Sequence, residues 1–247
     1  MTLSGQRILI VGATSGIGRG IALGLADDGA RVAVIGRHPG RLEEIAADLA
    51  ARGAVGAAFG ADVTDRDDVA RAVAEAATAL GGLDGAVNVA GILDAAGPVG
   101  DIDPHAWDRV IATNLTGTFN VMQAEIRVLQ RPGWMVNVSS TFGAHLRTPG
   151  LAAYAAAKAA VTALTRTAAL DHASAGVRIN AVSPGPVDTP MSVRPGETRD
   201  QRDRRVASAN PSGRVARIEE IVDAVRYLAL ATYTVGADLV VDGGAAA

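Results

Sequence analysis

Short runs of β-branched and aliphatic residues alternate along this chain with longer stretches rich in Ala and Leu, and that alternation limits the fold more than any other feature. Arg7-Ile8-Leu9-Ile10-Val11 leads into a helical stretch from Ile17 to Asp28, and Arg31-Val32-Ala33-Val34-Ile35 into another from Arg41 to Arg52. Val55 to Gly60 precedes Asp65 to Leu80, with Thr64 as the expected N-cap. Gly85 to Val89 is a fourth strand, followed by one long helical region from Pro104 to Leu129. Trp134 to Val138, Val177 to Val182 and Asp238 to Val241 complete the strands, with helices at Leu151 to Ala175 and Ile218 to Ala231. The strands are apolar on both faces, as required of a parallel sheet covered by helices on each side. Repeated βα units of this length predict an α/β fold with a single doubly wound parallel sheet. No repeat or linker divides the chain, so residues 1–247 read as one domain. Only the segment 189–213, with Pro190, Pro195, Pro211 and a dense charge run, breaks the pattern. It reads as a surface loop or a mobile flap over a substrate pocket.

Composition removes several function classes. A net charge of −3 offers no broad attraction to nucleic acid or anionic lipid, and aromatic residues at 3% are too few for a base-stacking platform. No apolar run reaches the roughly 18–20 residues of a membrane span, and the N-terminus lacks a signal-peptide layout, so a cytoplasmic location without membrane association is expected. Cysteine is absent and the four histidines are scattered, which argues against thiolate chemistry and any metal site. Of the 23 basic residues all but Lys158 are Arg. A lone lysine in an arginine-rich chain points to a place where a compact ammonium is needed and a guanidinium will not serve.

The first strand runs into Gly12-Ala13-Thr14-Ser15-Gly16-Ile17-Gly18. Glycines here allow a tight turn and close approach of backbone to a pyrophosphate, while the following helix aims free N–H groups at the phosphates. The second strand ends at Ile35-Gly36-Arg37, where an acidic residue would instead bind a ribose 2′-hydroxyl. Gly36 is read as leaving room and Arg37 as pairing with a 2′-phosphate, assisted by Ser15, so NADP(H) is expected rather than NAD(H). Asp62-Val63 follows the third strand and is placed to meet the adenine. Asn88-Val89-Ala90-Gly91 ends the fourth with small residues beside the cofactor.

Tyr154-Ala155-Ala156-Ala157-Lys158 sets a phenol and the single ammonium one turn apart on a helix face. An ammonium near a tyrosine favours phenolate, so Lys158 is expected to lower the Tyr154 pKa from its ordinary value near 10. Ser140, at the end of the fifth strand, is placed to donate to a carbonyl oxygen as charge develops. Asn114 sits inside a helical stretch at a cost in helix propensity, which suggests a kink holding a water.

These motifs together resemble those of the short-chain dehydrogenase/reductase family, the type of about 250 residues, over essentially the whole chain. The resemblance rests on Gly12-x-x-x-Gly16-x-Gly18, Asp62, Asn88 to Gly91, Asn114, Ser140, Tyr154-x-x-x-Lys158, Asn180 with Pro184-Gly185, and Asp242-Gly243-Gly244. It implies a Rossmann-type fold. It implies Tyr154 as general acid/base, Ser140 as the group orienting the carbonyl or alcohol, Lys158 on the nicotinamide ribose, and Asn114 anchoring a water in a proton relay. It places Gly12, Thr14, Ser15, Gly16, Ile17, Gly18, Arg37, Asp62, Val63, Asn88, Ala90, Gly91, Pro184, Gly185, Val187 and Thr189 around the cofactor, with Val187 and Thr189 at the carboxamide. Ser140 fits better than Ser139, because the family serine is followed three residues later by glycine, here Gly143.

There are departures. Val11 replaces the usual Thr, Val89 replaces a commoner Asn or Ala, and the Ser140–Tyr154 interval is one residue longer than usual. The close Tyr–Lys spacing differs from that of the family's enoyl reductases and argues against C=C reduction. The expected activity is hydride exchange between the nicotinamide and a ketone or secondary alcohol, with a 3-oxoacyl- or polyketide-type carbonyl reductase as the main reading. An NAD(H)-dependent alcohol dehydrogenase and a non-catalytic NADP-binding sensor are the alternatives. The expected substrate pocket draws on Leu93, Asp94, Thr141, His145, Leu146, Arg147, Leu151, Pro186 and Met191, with His145 read as a loop histidine. The resemblance further implies a small-molecule substrate and a homotetramer or dimer.

Overall fold

The structure is a computed structural model describing residues 2–54 and 56–247. The expected alternation of elements is present: β1 (Arg7–Val11), α1 (Gly16–Asp27), β2 (Arg31–Gly36), α2 (Pro39–Ala50), β3 (Ala57–Gly60), α3 (Arg66–Leu80) and β4 (Leu83–Asn88) form the first half. The second half comprises α4 (Pro104–Ile111), α5 (Gly117–Val128), β5 (Leu129–Val138), the short kinked α6 (Thr141–Ala144), α7 (Ala152–Ala173), β6 (Val177–Pro184), α8 (Arg199–Ala209), α9 (Ile218–Leu230) and β7 (Asp238–Val241). The strands make one seven-stranded sheet in the order β3-β2-β1-β4-β5-β6-β7, and every pairing is parallel.

Strand alternation sends successive side chains to opposite faces. Ile8 and Ile10 pack on one side with Ile21, Leu25, Ile45 and Val225 from α1, α2 and α9. Leu9 and Val11 pack on the other with Val69, Val73 and Leu80 of α3 and with Val121 and Ala169 of α5 and α7. The chain winds outward from β1 through β2 to β3 and then in the opposite direction from β4 to β7. The carboxyl ends of β1 and β4 therefore flank the switch point, where a crevice opens in sheets of this kind.

Several boundaries differ from the sequence reading. The N-cap of α3 is Asp65 rather than Thr64, because the Asp65 carboxylate accepts from the N–H groups of Asp67 and Asp68. The third strand begins at Ala57, and Val55 lies outside the described residues. The long helical region is divided by a π-helical turn, Ala112–Thr116, that contains Asn114. The 189–213 segment is not an irregular loop: it holds a 3₁₀ turn at Pro190–Ser192 and the eleven-residue α8. A capping box between Thr198 and Gln201 starts α8. Arg202, the buried anchor of that helix, bonds to Asp188, Asp203 and Ser192.

Candidate active site

The glycine turn after β1 is shaped by close contacts rather than by composition. Gly12 has φ +90°, and a Cβ there would lie 2.5 Å from the Ala90 nitrogen. A Cβ on Gly18 would lie 2.2 Å from the Gly12 carbonyl oxygen. The backbone after β1 thus touches the backbone after β4, and α1 starts directly behind it. Ser15 is the N-cap of α1 but its side chain makes no capping bond, so the N–H groups of the first turn remain for another acceptor. Across the crevice, Thr189 brings its methyl group to 3.3 Å from a would-be Gly16 Cβ. A Cβ on Gly185 would meet Asp242 at 2.8 Å, which sets the chain direction after β6.

At the end of β2, Arg37 reaches toward Asp62, with 3.8 Å between their charged atoms. Burial alone would raise the Asp62 pKa. The Thr64 N–H and hydroxyl, with Arg37 beyond them, outweigh that and hold it below the ordinary carboxylate range. Gly36 does not leave open space: a Cβ there would sit 2.4 Å from a methyl carbon of Thr14. Its small size is already used in packing the glycine turn on β2. Val63 accepts a hydrogen bond at its carbonyl from buried Asn120 and packs on Gly117. Asn88 spends its side-chain amide inward, donating to Glu125 and Asn137 at 2.9 Å each. It therefore offers the crevice backbone rather than side chain.

The chemical end gathers at the carboxyl ends of β4 and β5. The Ser140 hydroxyl accepts from the Phe142 N–H and also lies beside the Tyr154 hydroxyl. Ser139 is turned away, bonded to the Lys158 carbonyl at 2.8 Å and to Thr162 at 2.9 Å. The Lys158 ammonium donates to the Val138 carbonyl at 2.8 Å and stands 5.9 Å from the centre of the Tyr154 ring. Asn114 pairs its side chain with one residue: Oδ1 accepts from the Ile92 N–H at 2.8 Å and Nδ2 donates to the Ile92 carbonyl at 2.9 Å. A π-helical turn stands where a kink was expected, and this amide clamps the stretch after β4 while Nδ2 keeps a second donor. A Cβ on Gly91 would fall 3.3 Å from Asn114 Oδ1 and 3.6 Å from Lys158 Nζ, so Gly91 separates the two.

Burial acts on both members of the Tyr154–Lys158 pair. Burial pushes the Tyr154 hydroxyl above its ordinary value, opposed only by the Ser140 hydroxyl, and Lys158 is not among the causes. Burial also lowers Lys158 to about 8.

Sequence reasoning passed over three polar residues in this region. Glu125, wholly buried in α5, is pushed by burial to about 8, against the lowering effect of Asn88. Asn137 links Asn88 to Thr165, and Asp238 holds His145. Glu125 carried a signal in its spacing, four residues after Val121 on the core-facing side of α5. Among the described residues no cluster of His, Cys, Asp and Glu suits a metal, and no helix is long and apolar enough to cross a membrane.

Residues 12–246 match the family model described as Enoyl-(Acyl carrier protein) reductase. The chain is 40% identical to 2-(S)-hydroxypropyl-CoM dehydrogenase 3 of Xanthobacter autotrophicus over 98% of its own length and 97% of that protein. It belongs to the short-chain dehydrogenase/reductase family. A second member of that family, the 3-oxoacyl-(acyl-carrier-protein) reductase of Thermotoga maritima, is 36% identical over 99% of both chains. A short-chain dehydrogenase/reductase of Serratia marcescens superposes with a TM-score of 0.91 at 31% identity, covering all of both chains. The family makes this chain an oxidoreductase acting on alcohol- or ketone-type substrates with a nicotinamide cofactor.

The residues present fit such a cofactor. The cradle at Gly12 and Gly18, the uncapped start of α1 and the Arg37 guanidinium suit a dinucleotide and its phosphates. The Lys158 ammonium has three donors and spends one on Val138, which leaves donors for ribose hydroxyls.

Proposed function

We propose that this protein is an NADP(H)-dependent carbonyl reductase of the short-chain type, acting on a ketone of moderate size in the 3-oxoacyl or polyketide class. The observation that carries the reading is the grouping of Ser140, Tyr154 and Lys158 beside the glycine cradle. The bound cofactor supplies the hydride. Tyr154 donates its proton to the substrate oxygen in reduction and takes it back in oxidation. A hydroxyl kept protonated by burial suits the donor role. Ser140 donates a hydrogen bond to the same oxygen as it gains charge. Lys158 holds the nicotinamide ribose, and its remaining positive charge favours the phenolate left after proton transfer. Asn114 acts by fixing Ile92 and the backbone beside Gly91.

Arg37 supports NADP(H) over NAD(H), since half of its side chain is exposed and its carboxylate partner lies at the edge of ion-pair range. Leu93, two residues after Gly91, and Met191, two after Thr189, are exposed apolar residues and suit an uncharged carbonyl substrate. The name of the Thermotoga maritima relative supports the oxoacyl class. Residues 1–247 act as one domain, with 189–213 as the flap over substrate. We place the protein in the cytoplasm as a homotetramer or dimer. Leu170 on α7, Tyr227 on α9 and Tyr233 ahead of β7 are strongly exposed apolar or aromatic residues that association would cover.

Oxidation of NADPH and of NADH by the purified protein with a panel of ketones and 3-oxoacyl thioesters tests this reading. Turnover with a preference for NADPH is expected. A preference for NADH favours the alcohol dehydrogenase alternative, and tight NADPH binding without turnover on any carbonyl favours a sensor.

A further inference from the structure

The carboxylate of Asp238, at the first position of β7, has no exposed side-chain surface. Its Oδ2 accepts from His145 Nε2 at 2.7 Å and from the Thr162 hydroxyl at 3.4 Å, and its Oδ1 accepts from the Ser183 hydroxyl at 2.6 Å. A carboxylate placed out of water needs such donors, and these come from three different elements. Ser183 belongs to β6 and Thr162 to α7, both rigid. His145 belongs to the stretch joining Ser140 to Tyr154, which is one residue longer than the family pattern.

That stretch closes on itself directly after Ser140. The Leu146 N–H donates to the Thr141 carbonyl at 2.8 Å and the Gly143 N–H to the Leu146 carbonyl at 3.2 Å. Gly143 rests on α7, where a Cβ would be 3.1 Å from the Lys158 Cβ. His145 is the member of this turn that reaches across to the C-terminal strand. From Asp238 the contact with Thr162 reaches α7 directly, beside Ser139, whose own hydroxyl donates to the Lys158 carbonyl. One buried carboxylate thus joins the turn behind Ser140 to the helix carrying Tyr154 and Lys158.

We propose that Asp238 and His145 form a clasp that holds the 141–146 turn on the end of the sheet, and that both are positioning residues for the Ser140 hydroxyl. The proposal rests on the reading of Ser140 as the group that orients the carbonyl. His145 touches no reacting atom in this account; it acts by fixing the turn that Ser140 begins. The Nε2–H of either the neutral tautomer or the imidazolium satisfies the carboxylate.

The test uses the full-length protein and the variants His145→Ala and His145→Gln, with Asp238→Asn as a second probe of the same bond. A glutamine amide reaches the position of the imidazole Nε2 and keeps a donor there. Amide hydrogen exchange of residues 141–151 and steady-state kinetics at saturating NADPH are measured on each. His145→Ala is expected to speed exchange in that segment and to lower kcat about tenfold, the scale of one lost hydrogen bond to a charged group. Its affinity for NADPH should stay unchanged. His145→Gln should return exchange and kcat to within about twofold of the starting protein, while Asp238→Asn falls between the two. Unchanged exchange in His145→Ala overturns the clasp whether or not the protein turns over ketones. Faster exchange with an unchanged kcat overturns the positioning role, and a glutamine variant as impaired as the alanine one does the same. A fully active Ser140→Ala variant, in contrast, would refute the reading of Ser140 while the exchange data still decide the clasp.

Discussion

The ammonium of Lys158 donates to the carbonyl of Val138, 2.8 Å away, while standing over the ring of Tyr154, the residue one helical turn before it, 5.9 Å from the ring centre. The strand end that carries Ser140 therefore also holds the lysine, and burial brings that lysine to about 8. Because Lys158 is the only lysine in the chain, isotope labelling of lysine side chains yields a single ε-carbon resonance to follow against pH. Its midpoint in the cofactor-free protein is expected near 8, well below the ordinary lysine value of about 10.4. A midpoint above 10 would contradict the burial described here.

Arg37→Ala should separate the two cofactors. Loss of a charge-assisted contact with a 2′-phosphate costs about 1.5–3 kcal/mol, which is roughly ten- to a hundredfold. kcat/KM with NADPH is expected to fall by that factor and kcat/KM with NADH by less than about twofold. Equal losses with both would assign Arg37 to folding, through its neighbour Asp62, instead of to phosphate binding.

Glu125 makes stability depend on pH in the direction opposite to most carboxylates. The folded protein keeps its proton up to about pH 8, whereas an unfolded chain releases it near the ordinary value of about 4.3. The folded state therefore binds the extra proton between these limits, and stability falls as pH rises through that window and levels off above it. Glu125→Gln removes the titration while keeping an acceptor for Asn88. Urea unfolding from pH 5 to 8 should show a loss of a few kcal/mol in the parent protein and a flatter profile in the variant. Parallel profiles would show that Glu125 is ionised in the folded state.

Asn114→Ala leaves the Ile92 N–H and carbonyl without their side-chain partner. One unpaired group in a part-buried place costs about 1–3 kcal/mol, so the melting temperature should drop by several degrees. Turnover should fall as well, because Gly91 is held between Asn114 and Lys158. A variant with unchanged melting temperature and turnover would show that the clamp on Ile92 is dispensable.

The sheet was legible because parallel strands buried on both faces must be apolar throughout, as Ile8 to Val11 and Val32 to Ile35 are. The glycine turn and the Tyr154–Lys158 pair were legible because each depends on neighbours in sequence. What stayed hidden depends on contacts distant in the chain. β5 begins at Leu129, not Trp134, since Gln130-Arg131-Pro132 carry no strand pattern of their own. α8 buries little besides Arg202 and Val206, so its charges concealed a helix behind the look of a loop. The direction of the Lys158 ammonium is set by the Val138 carbonyl, twenty residues earlier, and i, i+4 spacing alone could not reveal it. The sequence around Gly36 suggests space for a phosphate, but Thr14, from the preceding turn, fills it. Asp238 and His145 lie 93 residues apart, beyond any local pattern.

The central claim is that the Tyr154 hydroxyl exchanges the proton on the substrate oxygen. Single-turnover reduction of a ketone by Tyr154→Phe, pre-loaded with NADPH and compared with the parent protein, tests it most directly. The variant is expected to bind NADPH as the parent does and to react about 10²–10⁴-fold more slowly, the usual contribution of a general acid. A variant that reduces the ketone at the parent's rate would contradict the account.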